Sequence, residues 1–149
     1  MMGDPVDADP SRRLHAACLA AIERVEHGPS HEMFASLGES LFWLIALAEA
    51  KGRRRGSGLL LGLAWARNRI AHGVILAEPV RYHRPFAIGQ SALGGPDVLG
   101  GGYVWLGREA IVSTRTQRAD AAGEEAYDTH LAGRPVLSRL RDGLAEATP

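Results

Sequence analysis

Cysteine is nearly missing: Cys18 stands alone in 149 residues. That excludes an internal disulfide framework and fits a reducing, cytoplasmic setting. Long hydrophobic runs are missing too. The apolar stretches 41–48 and 59–66 fall short of the roughly 18–20 residues that cross a bilayer, so no membrane partner is expected. The opening MMGDPVDADP is acidic and carries prolines, without the basic-then-apolar order of a secretory signal. Gly94-Gly95 and Gly100-Gly101-Gly102 are followed by no GKS or GKT and by no immediate helix, which excludes a phosphate loop. The six histidines show no metal-ligand spacing, and no carboxylate cluster suits magnesium. Ser57, Cys18 and the histidines make no nucleophile–base pattern. Neither metal nor cofactor is expected, and no internal repeat is present.

What is there is an ordinary globular composition, 46% apolar and 23% charged, in a chain of the length of one domain, residues 1–149. The net charge of zero hides a segregation. Residues 1–50 carry 3 basic and 8 acidic side chains, residues 51–118 carry 11 and 3, and residues 119–149 carry 3 and 6. Two readings stand: the basic middle attracts a polyanion, or the acidic ends fold against it and cancel its field.

The spacing predicts a flexible N-terminus over 1–9, then a helix with Asp9 as N-cap and Pro10 in first position, ending at His27-Gly28-Pro29. Ser30 opens a second helix over about 31–51. The linker KGRRRGSG leads into a third, about 57–77, antiparallel to the second. Beyond Pro79 the texture changes. VRYHRPFAI (80–88) and YVWLGREAIV (103–112) are rich in aromatic and β-branched residues around a glycine-rich turn, which predicts a β-hairpin around 80–112 with the Pro85 strand at an edge. This hairpin belongs to a basic insertion, 79–118. Residues 120–148 return to helical spacing, broken at Gly133-Arg134-Pro135. The fold class expected is mainly α: a bundle of four to five helices with a β-hairpin insertion.

The third helix carries ARNRIAHG, residues 66–73. On a helical wheel Leu59, Leu60, Leu63, Ile70 and Val74 make one apolar stripe, while Leu61, Trp65, Asn68, His72 and Leu76 make a second. Two apolar faces need two covers. The second cover is expected to be the insertion or another copy of the chain, and a homodimer built on this face is the expectation. Glu39 lies at the depth of Arg67 and Arg69 on the antiparallel second helix, which makes it the expected carboxylate partner of the buried guanidinium.

Arg67-Asn68-Arg69-Ile70-Ala71-His72 resembles the R-x4-6-H signature of HEPN domains, often written Arg-Asn-x-x-x-His. HEPN proteins are small helical bundles that commonly dimerise, and many are metal-independent ribonucleases acting as toxins or phage-defence effectors. The resemblance covers about residues 10–77. It implies Arg67 and His72 as the catalytic pair, with Asn68 beside Arg67, meeting a second copy across a dimer to cut single-stranded RNA. The residue types suit that chemistry. The 2′-OH of RNA attacks its own phosphorus, an imidazole moves the proton near neutral pH, and a guanidinium fork holds the charged phosphoryl oxygens. The resemblance equally admits a catalytically silent module that binds RNA, nucleotide or a partner protein, and the residues alone admit a structural helical dimer. A cognate antitoxin or regulatory protein is a further partner that the toxin setting implies.

Several assignments stay open at this stage. Arg69 lies nearer His72 around the wheel than Arg67 does and rivals it for the phosphate. Arg53, Arg54 and Arg55 are either a solvated loop or substrate contacts at a helix end adjoining the cleft. Tyr82, His83, Tyr103 and Trp105, with Arg81, Arg84 and Arg108 between them, either pack a hairpin or stack bases.

Overall fold

The computed structural model describes residues 9–80, 102–112 and 118–148. Expectations that fall on 1–8, 81–101 and 113–117 lie outside the described residues. These include the Pro85 edge strand and the stacking candidates Tyr82, His83, Arg81 and Arg84.

Helix α1 spans Pro10–His27. Asp9 caps it by accepting the Ser11 N–H at 2.9 Å, and proline in the first turn removes a donor that would have no helical partner. Helix α2, Met33–Ala50, follows a single turn of 3-10 helix at Ser30–Glu32. The segment Ser30–Ala50 is long and apolar enough to cross a membrane by length and composition, yet half of it is buried inside the fold. It is the central helix, packed by α1, by α3 (Gly58–Ala71) and by the last helix, α5 (Val136–Ala147). Cys18, Ile22, Leu37, Leu41, Leu44, Leu60, Leu63 and Leu140 meet in its core. Burial pushes the Cys18 thiol up to about 12, so it packs as a small apolar group.

The third helix ends at Ala71, one and a half turns earlier than the spacing predicts. Gly73 adopts φ +80°, the Gly73 N–H bonds to Ile70 O (2.9 Å) and the Val74 N–H to Arg69 O (3.1 Å). These are the two bonds of a Schellman stop with glycine in the left-handed position. Val74 and Leu76 are buried beyond the stop, which is why the apolar spacing ran on after the helix had ended.

The chain then enters β1, Ala77–Pro79, which pairs antiparallel with β2, Tyr103–Trp105, in the register Ala77↔Trp105 and Pro79↔Tyr103. The expected hairpin is present as a two-stranded antiparallel sheet, with its first strand three residues earlier than 80. The other edge of β2 is stitched to the turn after α4 (Ala121–His130). Val104 bridges Pro135, the Gly133 N–H bonds to Trp105 O, and the Trp105 N–H to Arg134 O. The break expected at Gly133-Arg134-Pro135 is that turn. Among the described residues, five α-helices and this small sheet make a mainly helical fold.

The second cover of α3 is α4. Gly62 lies so close to it that a Cβ there would sit 3.0 Å from Ala126 O. Trp65, 6% exposed, stacks against Tyr127 at 4.7 Å between ring centroids, and Trp105 meets the same tyrosine edge-on at 6.2 Å. Trp65 is therefore covered by α4, a correction to the expectation that its cover is the insertion or a second copy. Leu76, past the end of the helix, is buried with its carbonyl accepting the N–H of Leu106 in the insertion.

Candidate functional site

Residues 66–72 belong to the last turns of α3, where α2, α4 and solvent each take a part of the helix circumference. At about 100° per residue, Ile70 points to α2, where it lies 3.2 Å from the Cβ position of Gly38. Trp65 and Arg69 point to α4. Asn68, Ala71 and His72 fall on the remaining arc and are exposed, with Arg67 half-buried at its α2 border. His72 is the C-cap residue held by the Schellman stop. Arg67 Nη2 donates to Asn68 Oδ1 at 3.1 Å, a bond across one residue that steadies the guanidinium on the open arc.

Arg69 behaves differently. It is 8% exposed, its guanidinium carbon lies 4.8 Å from the centroid of the Trp65 ring, and Nη2 donates to Arg118 O at 3.2 Å. Glu124 of α4 approaches it at 3.9 Å and also takes Arg108 at 3.3 Å. Arg108 in turn forks onto Asp128, with its Nε and Nη2 at 2.7–3.0 Å from the carboxylate oxygens. Those hydrogen bonds hold the Asp128 carboxyl below the ordinary carboxylate value. Arg69 is thus a packing residue between α3 and α4, and of the two rival arginines Arg67 is the one left facing outward. Of the two readings left open for Trp105, packing is the one observed, and Trp105 and Arg108 are both engaged at the sheet–α4 junction.

Glu39 does not meet Arg67. It pairs with Arg24 of α1 at 2.7 Å and accepts from Trp43 Nε1 at 3.5 Å, and the Arg24 bond holds its carboxyl below the ordinary value. The depth argument holds, since Gly38 is level with Ile70. The azimuth does not: one residue along from Gly38 turns Glu39 by about 100°, away from α3 and toward α1.

Arg53 and Arg54 sit at the other end of α3 from the motif. Fifteen residues separate Ser57 from His72, roughly 22 Å at 1.5 Å per residue. They do not adjoin the arc that carries Arg67 and His72. Arg54 is salt-bridged to Glu49, Arg53 is exposed, and the Arg55 side chain lies outside the described residues. The five-residue stretch from Glu124 to Asp128, which fixes Arg69 and Arg108, was missed in the sequence. Its signal was the acidic character of 119–149 opposite a basic middle, the reading in which the ends fold back on the centre.

No family model, curated protein or solved structure matches the chain. The HEPN resemblance therefore rests on the six residues Arg67–His72 and on their helical setting. Among the described residues no group of three or more His, Cys, Asp or Glu side chains is arranged to hold a metal ion. The chemistry available on the open arc is one imidazole, one guanidinium and one carboxamide.

Proposed function

We propose that the chain is a metal-independent endoribonuclease of HEPN type, acting as a homodimer on single-stranded RNA in the cytoplasm. His72 moves the proton of the 2′-OH or of the departing 5′-oxygen. Arg67 holds the non-bridging phosphoryl oxygens, and Asn68 orients Arg67. The 2′-oxygen bonds to phosphorus as the P–O5′ bond breaks, which leaves a 2′,3′-cyclic phosphate and a 5′-hydroxyl. A toxin or phage-defence effector, restrained by a cognate antitoxin, is the setting that fits such an activity.

The observation that supports this reading best is the sorting of the motif: Arg67, Asn68 and His72 are on the open arc, and Arg69 is withdrawn beneath α4. The dimer is part of this proposal. Five residues set Arg67 and His72 about 140° apart around α3 and about 7.5 Å apart along it, and a second copy seated on this arc would supply the His72 that faces Arg67. Beside the arc, α2 presents Phe34 and Phe42 on successive turns around Gly38, and Phe42 is 52% and Ile75 62% exposed. Such apolar exposure marks association surfaces.

Purified protein is expected to cut single-stranded RNA in EDTA, leave cyclic-phosphate ends and spare DNA. If protein of verified fold leaves a broad RNA panel uncut, the nuclease reading fails and a silent binding module takes its place. Sedimentation tests the dimer separately: wild-type chain is expected at twice the monomer mass, and Phe42→Glu at monomer mass with its melting temperature kept.

A further inference from the structure

The turn between α2 and α3 opens into a cavity of about 620 Å³, lined by Lys51, Arg53, Ser57, Leu60 and Glu146 with two turn glycines. It lies at the end of α3 remote from His72, and the motif makes no use of it. It is open to solvent, and its volume is in the range of small-ligand sites.

The lining residues differ in charge. Lys51 and Arg53 are the cations. Of the neighbouring charges, Glu49 is taken by Arg54, and Asp9, the cap of α1, feels Lys51 electrostatically. No ion pair engages Arg53 among the described residues. Glu146, from the last turn of α5, lines the same cavity. Its Oε2 accepts the Ser57 hydroxyl, whose oxygen in turn accepts the Leu60 N–H at 3.2 Å. Among the described residues Oε1 of Glu146 takes part in no such bond. The cavity thus gathers two cationic donors and one carboxylate acceptor tied to Ser57.

A bare dianion would meet the cations and also the repulsion of Glu146. A molecule with a phosphate at one end and a hydroxyl donor at the other satisfies both kinds of group. We propose that this cavity binds a ribose phosphate unit, with the phosphate on Lys51 and Arg53 and a ribose hydroxyl donating to Glu146. The unit comes either from an RNA strand or from a free mononucleotide. For the strand source the inference rests on the RNA reading above.

Binding is measured on the His72→Ala chain, so that loss of cleavage and loss of binding remain separate results. The probes are a 5′-phosphorylated tri-uridylate, its deoxy counterpart, adenosine monophosphate and inorganic phosphate. The readout is amide chemical shifts at Gly52, Gly56 and Ser57. Saturable shifts with the ribo trimer are expected, with affinity lower by roughly tenfold to a hundredfold in Lys51→Ala and in Arg53→Ala, the range for removing a charged hydrogen bond. Arg54→Ala is expected to leave affinity unchanged. Glu146→Gln is expected to abolish the preference for ribo over deoxy. A trimer that binds more tightly than the monophosphate assigns the strand source, and equal binding assigns the free nucleotide. The proposal is overturned if none of the probes shifts these amides, or if inorganic phosphate binds as well as the ribo probes. It is also overturned if Arg54→Ala weakens binding as much as Arg53→Ala, which would make the turn a diffuse basic surface. These results stand whether or not the wild-type chain cuts RNA.

Discussion

On one flank of α3, Gly62, Trp65 and Arg69 are closed in by α4; on the other, Arg67, Asn68 and His72 face outward from the same turns of helix. Both flanks carry polar groups on an otherwise apolar helix. On the α4 side every group is engaged in packing: Arg69 lies over Trp65, and Glu124 joins Arg69 to Arg108. On the outward side the described contacts reduce to one hydrogen bond, Arg67 to Asn68. Arginines two residues apart therefore do different work. One fixes a helix junction, and the other is available to a ligand.

The comparison breaks most sharply at His72. If the outward flank is the reacting one, His72→Ala is expected to lower RNA cleavage on the order of 10²–10⁴-fold, as loss of a proton-transfer group does, with the melting temperature unchanged because the side chain is exposed. Arg67→Ala is expected to follow it in activity without loss of stability. Arg69→Ala is expected to lower the melting temperature, with activity retained in the fraction that stays folded. Paired cleavage rates and thermal melts on the three variants test this. A severe loss of rate in a normally stable Arg69→Ala protein would reverse the roles of the two arginines.

The opposite flank is tested by Trp65→Ala. Removing a buried tryptophan costs about 3–5 kcal/mol, a large part of the roughly 5–15 kcal/mol that holds a domain together. The variant is expected to unfold at far lower denaturant than wild type. A change of oligomeric state with full stability would instead mean that Trp65 serves an interface between chains.

Where the sequence succeeded and failed follows from what each signal encodes. Caps and stops are local, so Asp9-Pro10 and Gly133-Arg134-Pro135 gave correct boundaries. The end of α3 was equally local, in Gly73, but the apolar spacing of Val74 and Leu76 outweighed one glycine. Which face meets which neighbour is not local. The wheel found two apolar faces on α3 and could not tell that α4, fifty residues on, closes the second. Depth along paired helices was legible and azimuth was not, so Glu39 was placed level with Arg67 while it turns to Arg24. Arg67, Asn68 and His72 were legible as a motif, but the separation of Arg67 from Arg69 needed α4 in place. The cavity at Lys51 and Arg53 joins residues nearly a hundred positions apart, and nothing in the run KGRRRGSG announces Glu146.

The smallest expected effect sharpens the same comparison, because the ion pairs behind Arg69 are half exposed. Arg108 hydrogen bonds hold the Asp128 carboxyl below its ordinary value. A carboxylate whose value is depressed by folding stabilises the native state above its unfolded value. That contribution is lost as pH falls through the folded value. The window is therefore below about pH 4, the ordinary range of an aspartate. With 44% of the Asp128 side chain and 41% of the Arg108 side chain exposed, water and salt screen the pair, and about 0.2–1 kcal/mol is the expected size. Asp128→Asn should then melt about 1–3 °C below wild type at pH 6. The two curves should converge as pH drops below 4, and 1 M salt should shrink the gap at pH 6. The prediction fails if the gap is independent of pH. A gap much larger than this would mean that Asp128, with Glu124, is an integral part of the clamp on Arg69, and that the packed flank of α3 depends on its charges as much as on Trp65 and Tyr127.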